Sequence, residues 1–291
     1  MKNILKNTLF LLLLFLCLVR RPDLIDGVIS GVNLWQKCLF PSIFPLLILS
    51  DFALSTEVIE LLSNSIGIFF KKIFNVPKEA IYVIFMSFFT GCPSNAKYIK
   101  DLLDNEIIDE AGAIKILSMA QLYNPNLIFT ITPFLNLKCK LFIIIGNFCI
   151  NLIIGLFNRS FPVVYSDKQK KKISFLLTNS MSNAVYTLLG ILGSIVTFSA
   201  IAAILKINHP LFIGILEITN GINKISGSVV ASLFMLAILL SFGGLSILYQ
   251  IKGILKEYKL DYTLYYKSRI IHLVLFLIFT FIFVRYFLWF F

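Results

Sequence analysis

Residues 80–95 read AIYVIFMSFFTGCPSN, a largely apolar run that stops at glycine, cysteine and proline. At about 1.5 Å per residue, a helix over residues 80–89 covers roughly half of the 30 Å hydrocarbon core of a bilayer. The polar residues that follow the run, up to Asn95, cannot continue an apolar crossing. The stretch therefore predicts a helix that breaks near the middle of a membrane.

A second stretch repeats this pattern. Residues 233–246 read LFMLAILLSFGGLS, an apolar run that ends at Gly243. After each break an amphipathic segment restarts, at residues 94–103 and 246–255, with Ser94 and Ser246 expected to cap the first turn. A helix start offers free N–H groups and a partial positive charge, which suit a carboxylate or another anionic group. The alternative is that these glycines serve packing or a kink.

Two further interruptions carry polar side chains. Asn124 and Asn126 flank a proline between two short apolar runs, and Glu217 lies inside the apolar run 211–222. An ionisable group within an apolar run is a functional candidate, although Glu217 could instead lie at the headgroup level or cap the following turn. Broken backbone is tolerated at membrane depth only beside protein or a watery cavity, so we expect one cavity where the breaks meet. The candidate substrate-binding residues lie in or beside the breaks: Gly91, Pro93, Ser94, Asn95, Asn124, Pro125, Asn126, Glu217, Thr219, Asn220, Gly221, Gly243, Gly244 and Ser246.

Composition indicates a membrane protein. Hydrophobic residues make up 58% of the chain and charged residues 14%, against about 25% charged in ordinary soluble domains. We predict an all-α polytopic fold with spans at residues 4–19, 38–54, 141–157, 187–205 and 270–290. The net charge is +11, but the basic residues cluster at the ends of apolar runs, as at 71–72, 168–172 and 252–269, where anionic headgroups account for them. Nucleic acid is therefore not an expected partner.

The chain divides into two halves of similar pattern. Gly243 lies 152 residues after Gly91, and the same offset carries Ser42-Ile43 onto Ser194-Ile195. We predict related copies at about 30–135 and 182–287, interpreted as inverted repeats of the kind found in secondary transporters. The predicted organisation is an N-terminal membrane half (1–158, including the spans 4–19 and 141–157), a basic polar loop (159–172) and a C-terminal membrane half (173–291).

Several motifs together resemble the YlbJ-type sporulation integral membrane proteins. They are GVNLW at 31–35, LFPSIFP at 39–45, TGCPSNAK at 90–97, YNPN at 123–126, LEITNG at 216–221 and SFGGLS at 241–246. That family carries a nucleoside-recognition or Gate-type domain and is similar, in its broken helices, to concentrative nucleoside transporters. The resemblance implies transport during sporulation, with dipicolinic acid as the leading candidate substrate.

The sequence therefore predicts a multi-pass permease for a small organic anion in the bacterial cell membrane, with the forespore membrane as one location. A nucleoside or another small metabolite is the alternative substrate, and a non-transporting structural or assembly role in sporulation is the alternative function. No enzyme activity, cofactor or metal site is predicted, because neither His209 nor His272 has a nucleophile or metal partner in the sequence. The coupling ion, proton or sodium, and homo-oligomer formation stay open.

Overall fold

The computed structural model describes residues 2–165 and 177–288, and every regular element among them is helical. Two π-helical turns, Trp35–Leu39 and Val284–Leu288, extend the helices before them. The predicted all-α class is confirmed. The α-helices are α1 (Lys2–Val19), α2 (Arg21–Leu34), α3 (Phe40–Ser55), α4 (Val58–Asn64), α5 (Ile66–Phe74), α6 (Ala80–Thr90), α7 (Asn95–Asp104), α8 (Glu110–Met119), α9 (Pro125–Ile131), α10 (Leu137–Phe157), α11 (Leu177–Ile204), α12 (Pro210–Leu216), α13 (Ile218–Asn223), α14 (Val229–Phe242), α15 (Gly244–Ile254) and α16 (Thr263–Phe283).

Five helical segments are long and apolar enough to cross a membrane: Arg21–Ala53, Leu137–Phe157, Leu177–Ile204, Val229–Ile254 and Thr263–Tyr286. The prediction of a multi-pass membrane protein is confirmed. Four of these segments contain or overlap predicted spans. The remaining segment, Val229–Ile254, overlaps no predicted span and corrects the prediction that residues 233–241 form only a half-length helix, because α14 and α15 together are long enough to cross. Residues 4–19 form α1, which lies outside these five segments.

A close-packed seam joins the first long helices of the two predicted copies. Arg20 donates to the carbonyl oxygen of Ile204 at 2.8 Å, and the indole of Trp35 donates to that of Leu188 at 2.9 Å. The continuous helix α2–α3 and helix α11 therefore run in opposite directions. At Gly27 a Cβ atom would lie 2.8 Å from the Cα of Ala200, so the backbones approach as closely as small-residue helix contacts allow.

Helices α8 and α16, near the ends of the two predicted copies, have a different relative orientation. Glu110, at the start of α8, accepts a hydrogen bond at 3.0 Å from the backbone N–H of Lys259, just before α16. Two turns further on, Asn158 donates to the hydroxyls of both Ser118 and Ser268, at 2.9 and 3.0 Å. Helices α8 and α16 therefore run in the same direction. In an inverted repeat, all equivalent helices of the two copies would run in opposite directions. The first pair, α2–α3 and α11, does so, but α8 and α16 do not, so a single inversion does not relate the two predicted copies.

The element order nevertheless recurs at the 152-residue offset. It carries the first and last residues of α4 onto those of α12, and it places the α6–α7 break on the α14–α15 break. The division into two halves remains a prediction. The predicted basic loop begins beside α8, where the Lys115 ammonium donates to the carbonyl oxygens of Asn75, Arg159 and Phe161 at 2.9 to 3.1 Å. Residues 166–172 of that loop lie outside the described residues.

Candidate functional site

The first break turns the chain back on itself. Helices α6 and α7 pack against each other, with the rings of Tyr82 and Tyr98 5.2 Å apart and the Tyr82 hydroxyl 3.4 Å from the Asp101 carboxylate. At the tip, Gly91 has φ 76° and ψ −179°, a conformation essentially confined to glycine. Residues 80–104 therefore form a helical hairpin.

The hairpin tip contacts the interruption at residues 121–126, which contains Asn124 and is here called the third break. Cys92 donates its backbone N–H to the carbonyl oxygen of Leu122 at 2.9 Å, and a Cβ on Gly91 would lie 2.9 Å from the Asn124 nitrogen. Asn124 in turn caps α9 by accepting from the backbone N–H of Asn126 at 2.7 Å, and its amide donates to the carbonyl oxygen of Ser42 at 3.1 Å. The first and third breaks are thus one hydrogen-bonded unit.

The second break lets the chain continue. Gly243, with φ 75° and ψ −9°, is the single residue between α14 and α15, and Gly244, the first residue of α15, also has a positive φ of 78°. A Cβ on Gly243 would lie 2.6 Å from the Gln121 amide nitrogen and 3.2 Å from the Tyr123 hydroxyl. Both breaks therefore contact the same short segment, residues 121–124, from different sides.

Glu217 lies between the short helices α12 and α13 and is 2% exposed. Its carboxylate accepts backbone hydrogen bonds from Thr219 at 3.1 Å and Asn220 at 2.6 Å. The Asn220 amide donates to the Ser199 hydroxyl of α11 at 3.1 Å. At Gly221 a Cβ would lie 2.3 Å from the Cα of Gly214, so α12 and α13 are in backbone contact. The carboxylate thus caps the turn, as in the alternative interpretation, and it is also buried.

A narrow cavity of about 30 Å³ lies where these segments meet. Its volume suffices for one or two water molecules and not for an aromatic dicarboxylate. Each half contributes to the lining, and the offset-related positions Ile43 and Ile195 both face the cavity. Apolar side chains form most of the wall. The polar lining residues are Tyr123, Glu217, Thr219, Ser246 and Gln250.

The structure brings some of the predicted site residues together and leaves others apart. Four of them line the cavity: Pro93, Glu217, Thr219 and Ser246. Others support its wall: the turn glycines Gly91, Gly243 and Gly244, the contact glycine Gly221, and the hydrogen-bonded amides of Asn95, Asn124 and Asn220. Pro125 begins α9 and Asn126 is exposed, and neither lines the cavity.

The predicted serine caps are wrong. Ser94 precedes α7, but its buried hydroxyl has no hydrogen-bond partner. Ser246 lies inside α15, because that helix already begins at Gly244, and its hydroxyl accepts from the Gln250 amide at 3.0 Å. Helices α7 and α15 therefore begin without a side-chain cap. Within the described part of the chain, no group of three His, Cys, Asp or Glu side chains is placed to hold a metal ion.

Sequence reasoning missed the buried polar network on α16. Arg269 belongs to the basic run 252–269 that the sequence predicts at the membrane edge, yet it is 2% exposed and donates to the Ser118 carbonyl oxygen at 2.5 Å and the Asn151 side-chain oxygen at 3.1 Å. Asn151 also donates to the carbonyl oxygen of Gln121 at 3.0 Å. The sequence signal that could have indicated this network is the spacing of Asn147 and Asn151, four residues apart on one face of α10. The other members of the network are far apart in the chain.

These features define a multi-pass α-helical membrane protein in which interrupted helices surround a small, mainly apolar cavity that contains a few polar groups. The chain is similar to the "Sporulation integral membrane protein YlbJ" of Bacillus subtilis (strain 168), with 24% identity over 297 aligned residues. The match covers 83% of this chain and 73% of that protein, so the chain is a distant homologue of a sporulation integral membrane protein. No protein-family model and no solved structure matches the chain.

Proposed function

We propose that this protein is a permease for a small organic anion, with dipicolinic acid during spore formation as the leading candidate. The observation that carries the proposal is the cavity at which both helix breaks and the buried Glu217 meet. Non-helical backbone at membrane depth is tolerated where it lines a cavity, and transporters place their substrate sites beside such interrupted helices. The sporulation role is suggested by the name of the Bacillus subtilis relative.

Glu217 gives the proposal an electrostatic consequence. Its carboxylate lies on the cavity wall, where a bound organic anion would meet a like charge in a medium of low dielectric constant. An anion can enter at low cost only if the carboxylate is protonated or paired with a cation. We therefore propose that a proton or a sodium ion is carried with the anion and that Glu217 binds it. In this role the protein transports its ligand unchanged and is not an enzyme.

A neutral metabolite such as a nucleoside is the second candidate substrate. The side-chain oxygen of Gln250 is buried without a hydrogen-bond partner beside the cavity, and it would accept from an N–H or O–H group of such a ligand. This substrate also agrees with the resemblance to proteins that carry a nucleoside-recognition domain. A structural or assembly role would instead require neither ligand to cross.

Reconstitution into liposomes tests the proposal. We expect the full-length protein to take up labelled dipicolinate at least about tenfold faster than empty liposomes when a proton or sodium gradient is imposed, and uridine serves as the neutral probe. Glu217→Gln should remove the dependence on the gradient, whereas Glu60→Gln, an exposed carboxyl on α4, should behave as the unmodified chain. If neither compound crosses under any gradient, the permease proposal fails and a structural role takes its place.

A further inference from the structure

Arg269 is a buried cation without a counter-charge. It lies on α16 and is 2% exposed. One terminal nitrogen donates to Ser118 and Asn151, but the other terminal nitrogen and Nε have no hydrogen-bond partner. None of the ion pairs found in residues 2–165 and 177–288 includes this guanidinium. Buried charges are normally paired, so the free N–H groups indicate a missing anionic partner.

The groups around Arg269 do not supply a negative charge. The guanidinium carbon lies 5.5 Å from the centre of the Tyr265 ring, an arrangement that stabilises a cation without neutralising it. The groups that accept hydrogen bonds from it, the Ser118 carbonyl oxygen and the Asn151 side-chain amide oxygen, are both neutral. A small anion that reached this place would meet a desolvated positive charge and unused donors.

Two hydrogen bonds and one cation–ring contact connect Arg269 with the cavity. Tyr123, on the cavity wall, accepts from the Gln121 amide at 3.4 Å, and the Gln121 oxygen accepts from the Tyr265 hydroxyl at 2.5 Å. Tyr265 is the residue whose ring faces the guanidinium. Cys92, at the tip of the α6–α7 hairpin, also lines the cavity. The arginine therefore lies behind the part of the wall formed by Tyr123.

We propose that Arg269 binds a carboxylate of the permeant anion through its free N–H groups. Charge-assisted hydrogen bonds from arginine to carboxylate are among the strongest in proteins, and they are stronger still away from water. The anion reaches the guanidinium when the wall at Cys92 and Tyr123 moves aside, and the cavity then extends toward α16. This inference rests on the proposed function, because it names the group that receives the permeant's charge.

Binding to the purified full-length protein tests the assignment. Thermal unfolding in detergent is followed with dipicolinate, uridine or chloride as the added probe. Dipicolinate should raise the unfolding temperature of the unmodified chain, and Arg269→Lys should weaken its apparent affinity by about tenfold, because lysine keeps the charge but not the fixed donor geometry. Arg269→Gln should abolish the effect. Arg285→Gln, the same substitution at an exposed arginine after α16, should leave it unchanged.

The outcomes separate the site from the transport proposal. Unchanged dipicolinate affinity in a folded Arg269→Gln protein overturns the site, and if that variant does not fold, unchanged affinity in Arg269→Lys overturns it. Chloride protection equal to that of dipicolinate overturns the assignment to a carboxylate. Binding that depends on Arg269, without uptake in liposomes, supports the site and refutes the permease. Uptake by Arg269→Gln with an unchanged KM refutes the site and leaves the permease intact.

Discussion

The two glycine breaks occupy equivalent positions, yet the chain leaves them in different directions. At Gly91 the backbone is extended after the turn, and helix does not resume until Asn95. At Gly243 the backbone lies in the left-handed helical region, Gly244 also has a positive φ, and α15 begins at Gly244. Pro93 explains the difference, because proline lacks an N–H donor and excludes the residue before it from the helical conformation. A glycine thus locates a break, and its neighbours decide whether the chain turns back or goes on.

This difference sets the direction of the helices that follow each break. The α6–α7 hairpin returns the chain to the side from which it came, whereas α14–α15 is long enough to carry it across. The two predicted copies begin with antiparallel helices, α2–α3 and α11, and end with the parallel helices α8 and α16. One extra crossing in the second half accounts for both observations.

Labelling of single cysteines from one side of the membrane tests most directly whether the chain turns back at Gly91 and crosses at Gly243. Cysteines at Lys72 and Asp104, which flank the hairpin, should react from the same side. Cysteines at Ser226 and Lys256, which flank α14–α15, should react from opposite sides. All four positions are exposed, and a membrane-impermeant maleimide on intact cells gives an all-or-none signal. Labelling of the unmodified chain measures how much of the signal comes from its native cysteines. Labelling of Ser226 and Lys256 from the same side would show that the second break is also a hairpin.

Substitution of each glycine by alanine measures how much each turn depends on glycine for its stability. Gly91→Ala should destabilise the protein by about 3 kcal/mol or more, because a residue with Cβ is strained at this φ and ψ and would contact the Asn124 backbone. Gly243→Ala should cost about 1–2 kcal/mol, since the left-handed helical region is less unfavourable and the Gln121 side chain can move aside. Thermal unfolding in detergent measures both.

Asparagine provides the control for these glycine variants. It tolerates the left-handed helical region better than alanine does, so Gly243→Asn should be more stable than Gly243→Ala if its side chain fits beside Gln121. At Gly91 the same substitution should give no recovery, because the backbone there lies outside that region. Equal losses for Gly91→Ala and Gly243→Ala would contradict the proposed difference between the turns.

The smallest effect concerns the serines that follow the breaks. Ser94→Ala should be neutral or stabilise the protein by up to about 1 kcal/mol, because the Ser94 hydroxyl is buried without a partner. Ser246→Ala should cost about 1 kcal/mol, since it removes the acceptor of the Gln250 amide. The same unfolding assay compares them. A clear loss of stability in Ser94→Ala would show that its hydroxyl has a partner in solution.

Much of the architecture could be predicted from interruptions in hydrophobicity. The positions of both breaks and the burial of Glu217 follow from local sequence, because an apolar run that contains glycine, proline or a carboxyl cannot lie unchanged in lipid. The direction of the chain after Gly243 could not be predicted in the same way. A 26-residue segment that contains two glycines with positive φ has the same hydrophobicity as two half-length helices.

Arg269 shows the limit of local patterns more clearly. It stands near Lys267 at the edge of an apolar run, where arginines usually face headgroups. Its burial depends on Ser118 and Asn151, which are more than 100 residues away in the chain. Such a contact leaves no periodic or compositional trace in one sequence, so only the assembled helices show it.

The seam between α2 and α11 has a consequence for biosynthesis. Trp35 meets Leu188, which follows 153 residues later, and Gly27 contacts Ala200 later still. At about 5–20 residues per second, the ribosome needs roughly 8 to 30 s to supply that partner. During this interval the first span stays in the bilayer with its glycine face covered by lipid or by the insertion machinery. The N-terminal helices therefore reach their final packing only after most of the chain has been inserted.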